Sequence, residues 1–159
     1  MPYTTIVAWL ALRAVYAWMY FYPAIGLLRD WPTTVATTGL LFKQGTKFFA
    51  VASVAVMIVG ALMILFGFYG QYAGLALLAF NLGGAIIHYR LAAAAKATRL
   101  SAAASDADRA ALAQVATLGW VGHVTSAEKN FVLAAVALFF ALVGTGPLSI
   151  VPSMGIIPQ

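Results

Sequence analysis

The sequence predicts an all-α protein, an integral membrane four-helix bundle with a cytoplasmic helical extension between the third and fourth spans. Three observations predict it. Of 159 residues, 64% are hydrophobic and only 8% charged, with a mean hydropathy of +0.95; a soluble domain has no means of covering that much apolar surface. Four apolar runs approach the roughly 20 residues that cross a ~30 Å hydrocarbon core as a helix. The basic residues gather at the ends of those runs, as membrane-flanking charges do.

The first span covers about 5–28 and is aromatic throughout, with Trp9, Tyr16, Trp18, Tyr20, Phe21 and Tyr22. Pro23 removes a backbone donor and is expected to kink its last turns. Arg29-Asp30-Trp31-Pro32 ends it. A polar, threonine-rich connection runs to Lys47, with a short interfacial helix expected over 35–42. The second span, 48–69, carries no charge, and Gly60 and Gly67 offer close approach to a neighbour. Gly70-Gln71-Tyr72 reads as a tight turn, which makes spans two and three an antiparallel hairpin.

The third span covers 73–90. Beyond Arg90 the alanine-rich stretch 91–100 has no breaker and continues the helix. Ser105-Asp106 reads as a cap for a further helix over 107–118. Residues 120–126 then return the chain to the membrane, so that 91–126 forms a cytoplasmic helical excursion. The fourth span covers 131–150, across Gly144-Thr145-Gly146-Pro147. The tail 152–159 is expected to be irregular. No repeat at a solenoid period is present, and the length fits one membrane domain over 1–159.

In this layout Arg29, Lys43, Lys47, Arg90, Lys96, Arg99, Arg109 and Lys129 lie on one side, and the termini with the 70–72 turn carry no Lys or Arg opposite them. The loops 29–47 and 90–129 are therefore expected in the cytoplasm and both termini outside. The net charge of +5 belongs to those flanks, and no nucleic-acid partner is expected. The chain has no cysteine, which excludes thiol chemistry and iron–sulfur clusters within it. No cleavable signal is evident, because Arg13 interrupts the first apolar run.

Two polar stripes carry the candidate site. Trp9, Arg13, Tyr16 and Tyr20 share one face of the first helix; Asn81, Gly84 and His88 share one face of the third. Polar groups at membrane depth are costly and usually point into a bundle. Depths counted from the outer ends of the two spans set Arg13 beside Asn81, Tyr16 beside Gly84 and Tyr20 beside His88, with Glu128 entering near His88. Arg13, Tyr16, Tyr20, Asn81, His88 and Glu128 would then line a pocket suited to a quinone. His88 or Tyr20 would hydrogen-bond a carbonyl and Glu128 would pass protons. The alternative is a polar network that only fixes helix pairing. His123, placed in a loop, and His88 lack metal-ligand spacing, so no metal is expected. No phosphate loop, nucleophile elbow or paired intramembrane carboxylates occur, and whether the chain is an enzyme stays open.

Several short motifs resemble the DoxX family of small four-helix membrane proteins, which includes the DoxD subunit of thiosulfate:quinone oxidoreductase. They are Arg13 before an aromatic run, Gly60, Gly67 and Gly70, a third helix ending in His88, Lys129-Asn130, and Gly144-x-Gly146-x-x-Ser149. Two family carboxylates are missing: the second helix reads Ala55-Val56-Met57 and the last motif continues Ile150-Val151. The 91–126 excursion is also longer than the family's usual connection. The resemblance implies an accessory or quinone-proximal subunit of a membrane oxidoreductase complex. It also admits a quinone-reducing DoxD-like subunit, or a chaperone or transport protein without a redox role. Quinone is the one cofactor implied. Expected partners are the lipid bilayer and either other subunits or a second copy, with Trp120 as the anchor of a docking surface on the excursion.

Overall fold

The computed structural model describes residues 2–151, and the tail 152–159 lies outside the described residues. The helices are α1 (Tyr3–Arg29), α2 (Trp31–Thr38), α3 (Thr46–Phe66), α4 (Gly70–Ala97) and α5 (Asp106–Val143). All except α2 are long and apolar enough to cross a membrane. At 1.5 Å per residue the 21 residues of α3 span ~32 Å, close to a hydrocarbon core. Phe48, Val51, Val59 and Phe66 are exposed on it, which is where a bilayer replaces water.

α1 packs on α3, α3 on α4 and α4 on α5. Aromatic side chains close the ring between α5 and α1: Trp9 stacks on Phe139 at 5.2 Å, and Tyr16 meets Phe140 at 5.3 Å. The tightest seam is α4 against α5. A Cβ on Gly74 would lie 2.6 Å from the Ala141 nitrogen and 2.7 Å from the Ala137 carbonyl, so only glycine admits that approach.

α3 closes at Gly67, not at the expected Gly70–Tyr72 turn. Gly67 adopts φ +66°, its N–H bonds the Ile64 carbonyl, and the Phe68 N–H bonds Met63, the paired bonds of a Schellman ending. The turn is therefore 67–69, and Gly70 opens α4. Its missing side chain serves packing, since a Cβ there would meet Thr145 at 2.3 Å.

α2 starts four residues earlier than expected. The Asp30 carboxylate accepts from the Thr33 N–H at 3.3 Å and Pro32 stands in the first turn, both helix-start features. α2 lies against α1 and α3, at the end of the bundle that gathers the basic residues. α1 itself runs on through Pro23.

α5 is the largest departure from expectation. It is one helix of 38 residues, ~57 Å long, with no return loop at 120–126. Leu112, Ala116, Gly119, His123, Ala127 and Asn130 recur at three- and four-residue spacing and are buried or half-buried. That single inward stripe holds α5 along α4, and the chain there has no proline. Gly119 sits within van der Waals reach of Ala95. The excursion is thus a continuation of α4 and α5 past the other helices, joined by residues 98–105. Ser105 caps α5 as expected, its hydroxyl accepting from the Asp108 N–H at 3.1 Å.

The fourth membrane helix ends at Val143, short of the expected 150. Residues 144–151 fold back over the end of α3. The Ile150 and Val151 N–H groups bond the carbonyls of Phe66 and Gly67, and Thr145 is fully buried.

Candidate functional site

The polar residues form three separate groups, arranged along the bundle axis. The first is built on Arg13, which is 2% exposed. Its Nε donates to the carbonyls of Ile64 and Leu65, both at 3.0 Å, and Nη1 donates to Pro147 at 3.1 Å. These are last-turn carbonyls of α3 and a backbone oxygen of the 144–151 fold-back. The guanidinium thus sits at the negative end of a helix dipole, which favours a cation. The four carboxylates of the chain, Asp30, Asp106, Asp108 and Glu128, all lie toward the other end.

Around Arg13 the short motifs converge. A Cβ on Gly67 would lie 2.5 Å from the Ser149 hydroxyl, one on Gly70 would meet Thr145, and one on Gly146 would lie 2.3 Å from the Trp9 ring. The Ser149 hydroxyl donates to the Gly146 carbonyl at 2.7 Å. Gly67, Gly70, Gly146, Ser149 and Arg13 are one packing lock joining α1, α3, α4 and the fold-back.

The second group is a phenol–amide chain at the bundle centre. Asn81 Nδ2 donates to the Tyr20 hydroxyl at 2.7 Å and to the Leu77 carbonyl at 2.6 Å. The Tyr20 hydroxyl donates to Tyr16 at 2.8 Å, and the Tyr16 hydroxyl donates to the Leu133 carbonyl at 3.0 Å. Tyr16, Tyr20 and Asn81 are 3%, 1% and 1% exposed. The expected partnership of Arg13 with Asn81 does not occur. Tyr20 takes that place, seven residues further along α1, a slip of two helical turns. The reason is that Arg13 already meets the last-turn carbonyls of α3, so the start of α1 extends past that end and span ends do not mark equal depths.

The third group joins the two histidines. His88 on α4 and His123 on α5 approach to 3.2 Å between Nδ1 atoms. His123 is therefore helical and part of the seam, not a loop residue. His88 lies two turns beyond Asn81 and Tyr20, not level with Tyr20. Glu128 is exposed, beside buried Ala127, and leaves the seam altogether. Sequence reasoning missed His123 and Asn130. Their spacing from Ala127, four before and three after, is the signal that α5 continues and that both face α4.

The expected open pocket is closed. Phe140 is fully buried among the same residues, and the Asn130 amide fills the space at Gly84, 2.8 Å from where a Cβ would stand. Among the described side chains, the Asn81 Oδ1 atom is buried without a hydrogen-bond partner. No cluster of three or more histidine and acidic side chains forms among the described residues.

Four apolar membrane-length helices, pinned by internal polar bonds and in contact with lipid outside, define a small multi-pass membrane protein of the four-helix class. The DoxX family model matches residues 8–90, just over half of the chain, and the protein belongs to the DoxX family. The match ends at Arg90, where α4 leaves the shared bundle for its extension. No curated protein and no solved structure matches the chain.

Proposed function

We propose that the protein is an accessory subunit of a membrane-bound oxidoreductase complex, with both termini outside and the α4–α5 extension in the cytoplasm. The closed seam is the observation that carries this reading. The N–H and O–H groups of Asn81, Tyr20 and Tyr16 all donate within the bundle. A quinone carbonyl only accepts hydrogen bonds, so those three residues offer it no donor unless the helices move. The one open group among them, Asn81 Oδ1, is itself an acceptor. The chain is thus better suited to stand beside a catalytic partner than to turn over a quinone itself.

The one-sided basic charge supports the orientation, and the family supports the membrane setting. The test is a native mass spectrum of the protein released in mild detergent, with extraction and assay of bound quinone. A stoichiometric heteromer without retained quinone agrees with an accessory role. A lone chain carrying one quinone per protomer favours the DoxD-like alternative, and a lone chain or homodimer without quinone favours the chaperone or transport alternative.

A further inference from the structure

Where α4 ends, residues 98–100 lie across from α5 and leave a groove of about 360 Å³ between them. Its walls bring together Lys96, Arg99 and Arg109, with Leu100, Leu112 and Trp120 among the apolar lining, and no acidic residue lines it. The three cations are held in place. Arg99 Nη1 donates to the Lys96 and Thr98 carbonyls at 2.6 and 2.7 Å, capping the last turn of α4. Arg109 Nη2 donates to the Ala104 carbonyl at 2.7 Å. The Lys96 ammonium stands 5.4 Å over the Trp120 ring, within cation–π range. The one acidic contact is Asp106, 3.5 Å from Arg109 with its own side chain fully exposed; such a surface pair is weak and easily exchanged.

We propose that this groove binds a short acidic segment of a partner subunit, carboxylates toward Lys96, Arg99 and Arg109 and one apolar side chain against Trp120. The proposal rests on the accessory-subunit reading and names its contact surface. Charge complementarity selects an anion, and the mixed lining selects one with an apolar body. Height above the membrane selects protein over lipid. Arg90 is the first cation past the third span, and Lys96 lies six residues beyond it, ~9 Å at helical rise, with Trp120 beside it; a headgroup layer of about 5–8 Å above Arg90 falls short of both. An exposed tryptophan with a lysine over its ring and two arginines in the same groove also has the aromatic-and-arginine composition of binding hot spots.

The test uses the full chain with Lys96, Arg99 and Arg109 all changed to glutamate, beside a control with Lys43→Glu and Lys47→Glu, which alters equal-sign charge outside the groove. In native mass spectra from mild detergent, the groove variant is expected to lose the heteromer at least tenfold while the control keeps it. Circular dichroism must show both variants folded; if the triple variant does not fold, Lys96→Gln with Trp120→Ala takes its place. If the wild-type chain shows no heteromer, the accessory reading fails. The groove is then read separately with a fluorescein-labelled peptide alternating glutamate and leucine. Binding by the wild type that the groove variant loses, and that salt at 0.5 M weakens, upholds the groove on its own. Equal binding by wild type and groove variant overturns it. So does retention of phosphatidylglycerol, rather than peptide, as the property the groove substitutions abolish.

Discussion

A buried arginine with no carboxylate nearby needs an explanation at the level of single atoms. Arg13 finds it in backbone oxygens, because the last carbonyls of a helix have no intrahelical donor. Ile64 and Leu65 supply two such groups, and Pro147 brings in the fold-back. Arg13→Ala is expected to destabilise the bundle by about 1–3 kcal/mol, the cost of stranding buried acceptors. Unfolding in SDS followed by circular dichroism measures it. Arg13→Lys should recover only part, since an ammonium lacks the planar fork that reaches three carbonyls. The histidine pair makes a second residue-scale prediction. A hydrogen bond between two Nδ1 atoms needs at least one neutral ring. Acidification from about pH 8 to 5 spans the range in which an imidazole such as His88 takes up a proton, and a cation half-buried in the seam 3.2 Å from the His123 ring is disfavoured. Stability contributed by the pair is thus present at the alkaline end and lost as pH falls. His88→Ala and His123→Ala should each flatten that dependence of the melting temperature; an unchanged slope in both variants counts against the pair.

At the scale of elements, the decisive object is the α4–α5 pair. Glycines on these helices have opposite roles, which makes them useful probes. Gly74 meets the backbone of α5, and Gly74→Ala must push the helices apart, at about 1–3 kcal/mol as for other overpacked sites. Gly122 has nothing within 4 Å of an added Cβ and lies inside α5. Gly122→Ala should therefore stabilise, by up to about 1 kcal/mol, because alanine has the higher helix propensity. Thermal melts of the two variants check the pair of signs. A destabilising Gly122→Ala would falsify the continuous α5. The same pair explains why the extension stands alone: small residues such as Ala92, Ala95 and Gly119 let two helices pack closely without neighbours to cover them.

For the whole molecule, the arrangement is a ring of four helices closed at one end by the 144–151 fold-back and prolonged at the other by the hairpin of α4 and α5. The proposed orientation in the membrane rests on the one-sided basic charge. A cysteine placed at Tyr3 should react with an impermeant maleimide in intact cells, and one at Ala104 should react only after lysis. Labelling at 104 from outside reverses the proposed topology. The corresponding external site at Ser153 lies outside the described residues.

What the sequence determined by itself was composition and periodicity: four membrane helices, the Ser105 cap, the helical continuation past Arg90 and the family. These follow from local rules, since hydropathy and helix propensity act within a few turns. Only the tertiary structure decided which polar groups meet. Tyr20 rather than Arg13 reaches Asn81 because α1 is offset by two turns, and no local feature of the sequence encodes the relative height of two helices. His123 joins His88 because α5 never breaks, although Gly119, Gly122 and polar Thr125-Ser126 read locally as a loop. Packing against α4 outweighs that local preference, as tertiary contacts commonly outweigh propensities. The scattered glycines of the motifs became one lock around Arg13 for the same reason: their meaning lies in what approaches them, and that is set by the far ends of the chain.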